Sequence, residues 1–261
     1  MSSAIVIPAR GASQRFPGKP MHPVLGIPML ERVWRIARQV NGAARVLIAT
    51  EDARVADFAK TFGAEAVLTP ETCRNGTERV FAAITAANIR EECLINLQGD
   101  ALLTPPWVLE TLIGALEANH QSPVVTPAMR LNERQLRDFE AHKRDNRSSG
   151  TTVVFDRNAD ALYFSKQILP FLRNPGSADV YRHVGLYGYR KEALSLYCSL
   201  PPSALEMTEG LEQLRFLENG LKVRVVEVDY RGRTHASIDN PDDVPFAENI
   251  IRAEGELFTR D

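Results

Sequence analysis

Apolar runs of strand length alternate with amphipathic stretches of helix length through roughly the first 128 residues, and this alternation restricts the fold more than any other feature of the chain. Repeated strand and helix units bury each strand on both faces, which builds a mostly parallel sheet covered by helices. Strands are expected near 4–8, 44–49, 65–68, 93–97 and 123–126. Helices fit near 28–41, 52–62, 77–89 and 105–118, the last opening on Pro105 and Pro106, residues suited to a helix start. The first helix gathers Met29, Leu30, Val33, Trp34, Ile36, Ala37 and Val40 on one face.

The rhythm breaks after about residue 128. Leu131-Asn132-Glu133 begins a polar helical stretch that runs into the charged segment 140–150, read as a linker or mobile loop. Beyond it the pattern changes to strands with shorter connections, at 151–155, 161–164 and 183–189, where aromatic and β-branched residues are enriched. A helix near 191–199, another near 205–219, a strand at 222–228 and a last helix near 241–258 complete the chain, with no internal repeat.

At 261 residues the chain is long enough for a sizeable core, and its 44% apolar and 25% charged content is that of an ordinary globular enzyme. A net charge of −2 gives no broad electrostatic case for nucleic acid or membrane surfaces, so cations must act locally. No stretch approaches the ~18 consecutive apolar residues of a membrane span, and the N-terminus lacks a charged region followed by an apolar one. Cys73, Cys93 and Cys198 are odd in number, widely spaced and without metal-ligand spacing. They read as small core residues in a reducing compartment, and a cytoplasmic protein is expected.

The chemistry concentrates in loops that follow strands. The first strand opens directly onto Ala9-Arg10-Gly11-Ala12-Ser13-Gln14-Arg15-Phe16-Pro17-Gly18-Lys19-Pro20. Its glycines let backbone N–H groups approach a phosphate, and Arg10, Arg15 and Lys19 supply positive charge. The same composition fits a solvated basic loop, but its place between a first strand and an amphipathic helix is where open α/β sheets put ligands. It carries neither the lysine-bearing motif of ATPase loops nor the three-glycine fingerprint of dinucleotide folds, so another nucleotide chemistry is indicated.

A second polar strand end, Leu94-Ile95-Asn96-Leu97-Gln98-Gly99-Asp100, offers Asp100 as a Mg²⁺ ligand or as a turn cap. Asp239, ahead of Asn240-Pro241, is a candidate partner, or belongs to the capping region of the last helix; Asp242 and Asp243 read as acids of its first turn. Asn75-Gly76-Thr77-Glu78-Arg79 precedes a helix, with Thr77 as a possible cap and Asn75 and Gly76 able to meet a ligand. His183, Tyr187 and Tyr189 alternate along one expected strand, as a pocket wall or as core. Glu206, Glu209, Glu212, Gln213 and Arg215 form a polar stripe read as a solvated helix face.

In order along the chain, Ile7-Pro8-Ala9-Arg10, Arg15 with Pro17-Gly18-Lys19-Pro20, Gly76-Thr77-Glu78-Arg79 and Asn96-Leu97-Gln98-Gly99-Asp100 are followed by Ala161-Leu162-Tyr163-Phe164-Ser165, His183 through Arg190, and Leu211-Glu212-Gln213-Leu214-Arg215. This order resembles the 3-deoxy-manno-octulosonate (Kdo) cytidylyltransferases, enzymes that join CTP to a sugar acid for lipopolysaccharide or capsule assembly. The resemblance implies a single Rossmann-like nucleotidyltransferase domain over 1–261, with a mostly parallel central sheet and a smaller inserted β-rich lobe. Residues 1–128 would mainly bind CTP, and 151–228 would mainly bind the acceptor and form a homodimer.

It further implies that Pro8, Ala9 and Arg10 frame the cytosine, with Asn75 and Gln98 near the cytidine, and that Arg10, Arg15 and Lys19 hold the phosphates. Arg15, Lys19 and Asp100 would carry catalysis, and Asp100 and Asp239 would bind Mg²⁺. Lys166, His183, Tyr187, Glu212 and Gln213 would line the acceptor pocket. The chain departs from the usual pattern at Gly11, where tyrosine is common, at Ala101 and Leu102, where Glu-Pro is common, and at Lys166, where arginine is common. The segment near 128–152 also differs. The expected activity is Mg²⁺-dependent transfer of CMP from CTP to a hydroxyl of a sugar acid such as Kdo, with pyrophosphate released. The departures keep open another acid acceptor, such as an amino-octulosonate, another ulosonate or a phosphonate, and a non-catalytic nucleotide-binding regulator.

Overall fold

The computed structural model describes residues 2–11, 16–145, 149–174, 176 and 178–259. The chain divides into two compact units, one formed by Met1–Gly114 with Tyr230–Asp261 and the other by Ala115–Asp229.

In the first unit the elements follow the sequence pattern closely. They are β1 (Ser3–Pro8), a short antiparallel pair β2 (Pro23–Val24) and β3 (Ile27–Pro28), α1 (Met29–Arg38), β4 (Ala43–Thr50), α2 (Ala53–Thr61), β5 (Glu65–Leu68), α3 (Gly76–Ala86), β6 (Cys93–Asn96) and α4 (Pro106–Ala118). The sheet order is β5-β4-β1-β6, with each of the three pairings parallel. All six residues of β1 are buried, as a central parallel strand covered on both faces requires. The chain moves outward from β1 through β4 to β5 and then returns to the other side as β6. That reversal opens a crevice beyond the carboxyl ends of β1 and β6, the general ligand position of such sheets.

The second unit contains β7 (Val124–Arg130), α5 (Glu133–Asp145), β8 (Thr151–Phe155), β9 (Ala161–Ser165), β10 (Tyr181–His183), β11 (Tyr187–Arg190), α6 (Lys191–Ser199), α7 (Ala204–Glu209), α8 (Leu214–Glu218) and β12 (Val223–Glu227). Here antiparallel pairing dominates: β10 joins β7 to β8, β8 joins β9, and β11 pairs the start of β7. Ala128 of β7 is matched by both His183 of β10 and Glu227 of β12, so β10 and the parallel strand β12 lie on opposite edges of β7. The chain then returns to the first unit and ends with a 3-10 turn at Pro241–Asp243 and α9 (Val244–Glu254).

Four expectations are corrected. The polar helical stretch expected from Leu131 does not end at the charged segment but continues into it as α5, so residues 140–145 are helix rather than linker; Asn132 opens the helix, its side chain accepting the N–H of Gln135. The single strand expected over 183–189 is two strands, interrupted at 184–186. The single helix expected near 205–219 is two short ones, because Gly210 takes a left-handed conformation at φ 64° and ends α7. The polar stripe on it is not a solvated face: Arg215 is 1% exposed and forms a two-bond ion pair with Glu206, at 2.7 and 2.5 Å. Of the cysteines only Cys93 is buried; Cys73 and Cys198 are half-buried.

Candidate active site

Three strand ends in the first unit carry the polar groups. Beyond β1, Ala9 continues the ladder by donating its N–H to Ala49 O at 2.8 Å, and Gly11 donates its N–H to Glu51 Oε1 at 2.9 Å. Glu51 stands just past β4, and its other oxygen lies 2.9 Å from the guanidinium of Arg79 on α3. Arg79 is 2% exposed and donates to Thr69 Oγ1 at 2.6 Å. Burial lowers its proton affinity and Glu51 opposes that effect. Glu51 therefore ties the first loop to a buried cation, a role that reading the motifs in isolation missed. Its signal is positional, an acidic residue directly after a buried strand, as Asp100 is after β6.

The glycine at position 11 has a steric cause. A Cβ there would lie 2.2 Å from Asp52 Oδ2 and 2.6 Å from Asp52 Cβ, so no side chain fits while Asp52 holds its place. Asp52 is itself fixed as the cap of α2, accepting the Arg54 N–H at 2.9 Å. The departure from tyrosine is thus coupled to the residue that opens α2.

At the end of β6, Gly99 brings its backbone against Pro8, since a Cβ would lie 2.9 Å from Pro8 O. Gln98 donates to Asn96 Oδ1 at 3.1 Å, and a Cβ at Gly76 would meet the Gln98 amide at 3.1 Å and Pro8 Cγ at 3.4 Å. Pro8, Gly76 and Gln98 thus converge, as sites proposed for one nucleoside must. The cap of α3 is Asn75 rather than Thr77: Asn75 accepts the Glu78 N–H at 2.8 Å, whereas Thr77 is fully buried beside Asn96. Arg10 is exposed and donates to Arg74 O at 2.6 Å.

Lys19 and Asp100, 81 residues apart, meet in an ion pair at 2.6 Å with side chains 14% and 27% exposed. Arg15 lies outside the described residues. Asp239 follows buried Ile238 and accepts from Ser237 Oγ at 3.3 Å. The cap after it is Asn240, in a reciprocal box with Asp243, so the cap does not consume the Asp239 carboxylate. Among the described residues no group of three or more His, Cys, Asp or Glu side chains could hold a metal. The donors on offer are carboxylate oxygens, the chemistry Mg²⁺ prefers when phosphate oxygens and water complete its shell.

The acceptor candidates lie in the second unit. His183, on β10, is buried, and its Nε2 is 2.8 Å from Thr126 Oγ1. That hydroxyl donates its one hydrogen to Leu186 O at 2.7 Å, which leaves His183 Nε2 as the donor and Nδ1 as an acceptor. Burial, reinforced by the charge of Lys166, pushes the imidazole pKa down to about 3, so the ring is neutral. Tyr187 lies 5.6 Å from that ring and stacks on Tyr189 at 5.7 Å. Burial, with Glu212 adding to it, raises the Tyr187 hydroxyl pKa well above its ordinary value. Tyr189 is fully buried and continues the stack to Phe216, which makes it core. Gln213 is 2% exposed and its Nε2 has no hydrogen-bond partner among the described residues. Such an orphan amide is costly unless something else satisfies it. Lys166 is half-buried, its N–H donating to Glu209 Oε2 at 2.8 Å.

A four-strand parallel sheet with cationic and acidic loops at its reversal point is the frame of a nucleotidyltransferase, and the sequence model of the cytidylyltransferase family matches residues 4–223. The chain is 49% identical over 258 residues to a 3-deoxy-manno-octulosonate cytidylyltransferase of Maricaulis maris, covering 98% of this chain and 100% of that one. It is 36% identical to the same enzyme of Chlamydia trachomatis serovar L2, with 94% and 92% covered. In structure it is similar to CMP:2-keto-3-deoxy-manno-octonic acid synthetase complexed with CTP, with a TM-score of 0.87, 34% identity, and 97% and 100% of the two chains covered. The chain belongs to the 3-deoxy-manno-octulosonate cytidylyltransferase family.

Proposed function

We propose that the protein transfers CMP from CTP to a hydroxyl of Kdo, releasing pyrophosphate. The observation that carries this reading is the Lys19–Asp100 pair at 2.6 Å, at the strand end where the sheet order reverses. The acceptor hydroxyl attacks the α-phosphorus, and the bond from that phosphorus to the bridging oxygen of pyrophosphate breaks. Such transfer needs alignment and charge neutralisation more than covalent chemistry. Lys19, with Arg15 and Arg10, neutralises the triphosphate, while Pro8, Ala9, Asn75 and Gln98 hold the cytidine. Asp100 and Asp239 would hold Mg²⁺, which would supply charge neutralisation at the phosphate oxygens, and Lys19 would turn from Asp100 to the triphosphate.

On the acceptor side, the neutral His183 offers Nδ1 as a hydrogen-bond acceptor and Tyr187 a hydroxyl that stays protonated. Gln213 offers a buried Nε2 that has no hydrogen-bond partner among the described residues. Together with Glu212 they suit a polyhydroxylated sugar, and Lys166 suits its carboxylate. Five of the seven large exposed apolar side chains among the described residues, Leu162, Phe171, Leu196, Leu205 and Met207, are in the second unit, which supports a homodimer formed through it. Among the described residues no helix is long and apolar enough to cross a membrane. Work in the cytoplasm, where CTP is made, and a place in lipopolysaccharide assembly complete the reading.

The test is pyrophosphate release from CTP and Mg²⁺ over a panel of Kdo, an amino-octulosonate, other ulosonates and a phosphonate. Turnover highest with Kdo supports the proposal. Preference for another acid reassigns the acceptor, and CTP binding without turnover on any acid would make the chain a nucleotide-binding regulator.

A further inference from the structure

Helix α5, whose second half falls in residues expected to be a linker, is built into the second unit at a specific place. Phe139 of α5 is 5% exposed, and Gly150, at φ +67°, lies so close that a Cβ would come within 2.5 Å of the Phe139 ring. Only glycine permits that approach in that conformation. The Lys143 ammonium lies 5.2 Å from the centre of the same ring, and the Arg182 guanidinium does as well. Lys143 Nζ donates to Gly150 O at 2.8 Å and also to the backbone carbonyl of Lys166.

Lys166 is held from the other direction as well. Its N–H donates to Glu209 Oε2 at 2.8 Å, the second Glu209 oxygen accepts Ser165 Oγ at 2.7 Å, and Ser165 Oγ accepts the Gln167 N–H at 2.9 Å. Lys143 and Lys166 border one cavity of about 550 Å³, together with Glu140, Arg144 and Gln167. The charge of Lys166 lowers the proton affinity of both Lys143 and His183. Burial and the neighbouring cations Lys166 and Arg182 push the Lys143 pKa down to about 8, against the pull of Glu209.

We propose that Lys143 is a positioning residue for acceptor recognition: by bonding the Lys166 carbonyl it fixes the lysine that receives the acceptor's carboxylate. The chemical reason lies in the residue at 166. An arginine presents a planar fork that orients a carboxylate by itself, whereas a lysine is a point charge on a flexible stem. A lysine gains selectivity only if its backbone is held and the field around it is positive. Glu209 holds the N–H side of Lys166, Lys143 holds the carbonyl side, and Lys143 and Arg182 supply the field. Helix α5 is then a specificity element of the acceptor site.

This inference rests on the proposed acceptor role of Lys166, and steady-state kinetics separates the two. Wild type, K143M, K143Q, K166M and the K143M/K166M double variant are assayed with CTP and Kdo, and CTP affinity of each is measured by calorimetry as a check on folding. K143M is expected to raise KM for Kdo roughly tenfold, the scale of a lost charged hydrogen bond, with kcat and CTP affinity within about twofold. K143Q, which keeps one donor and loses the charge, should fall between wild type and K143M, and it carries the test if K143M does not fold. Because Lys143 acts through Lys166, the double variant should be no worse than K166M alone. Additive losses, an unchanged KM for Kdo, or equal losses in kcat and CTP affinity would each overturn the inference. Wild type that releases no pyrophosphate with Kdo would instead overturn the functional reading.

Discussion

The two units handle polar groups in opposite ways. In the first, charges stand at strand ends and neutralise each other: Lys19 pairs with Asp100 at a partly exposed edge, and Glu51 serves both Gly11 and the buried Arg79. In the second, polar groups are sunk among aromatic rings, with His183 held neutral and Gln213 Nε2 without a hydrogen-bond partner among the described residues. The difference matches the ligands proposed for each. A triphosphate brings several charges and can displace an existing ion pair, whereas a sugar brings hydroxyls whose recognition depends on dry, pre-positioned donors and acceptors. Selectivity for the donor is a matter of charge at an edge, and selectivity for the acceptor a matter of buried hydrogen bonds.

The largest test of that contrast is Asp100→Asn. If Asp100 exchanges Lys19 for a metal, the variant keeps its fold and its CTP affinity falls little, while turnover drops by roughly 10²–10³-fold, the range seen when one electrostatic stabiliser is removed. Pyrophosphate release measures it, and wild-type rates would end the metal assignment. Lys19→Ala acts on binding instead. Loss of a charge-assisted contact of about 1.5–3 kcal/mol predicts CTP affinity weakened roughly tenfold or more, with KM for Kdo unchanged. Equal CTP titrations for the two proteins would remove Lys19 from the phosphate site.

A third test asks how tightly the nucleotide edge is packed. Gly11→Ala forces its Cβ into Asp52, a crowding that costs about 1–3 kcal/mol, and Asp52→Gly in the same chain should restore most of it, since glycine is an acceptable helix cap. Denaturant midpoints of the single and double variants decide whether Asp52 is the obstacle. A fourth test concerns the buried side. His183 has a pKa of about 3 in the folded protein against an ordinary 6.5, so the unfolded chain takes up a proton first as pH falls. Its contribution is present above pH 6.5 and is lost progressively as pH drops from there toward 3. In His183→Gln the loss of stability between about pH 7 and about pH 4.5 should be shallower than in wild type, and parallel curves would show that His183 does not titrate in this way.

Much of the first unit was legible because its signals are local. The apolar runs that become β1, β4 and β6 and the polar residues just past them lie within a few positions of each other, so Lys19 and Asp100 could be nominated from order alone. Glu51 escaped because nothing near it in sequence hints that its partners are Gly11 and Arg79, 40 and 28 positions away along the chain. In the second unit element boundaries shifted, at α5, at 184–186 and at Gly210, and the polar stripe was misjudged in burial. The run from Glu206 to Arg215 has the composition of a wet surface, yet Arg215 is enclosed by Glu206 and by Tyr197, whose ring lies 4.2 Å below the guanidinium. Charge pattern does not reveal such an arrangement, because an ion pair inside and one outside are written with the same letters.

Amino-acid order alone decided the α/β rhythm and the strand-end loops, since hydrophobic periodicity and turn residues act over a few positions, and the donor was implied by the family resemblance that the order of the motifs carries. Tertiary structure decided which of those loops meet, why position 11 must be glycine beside Asp52, and that α5 reaches Lys166 through Lys143. Those outcomes depend on contacts between residues far apart in the chain, and such contacts exist only after the packing of the whole unit has fixed where each backbone lies.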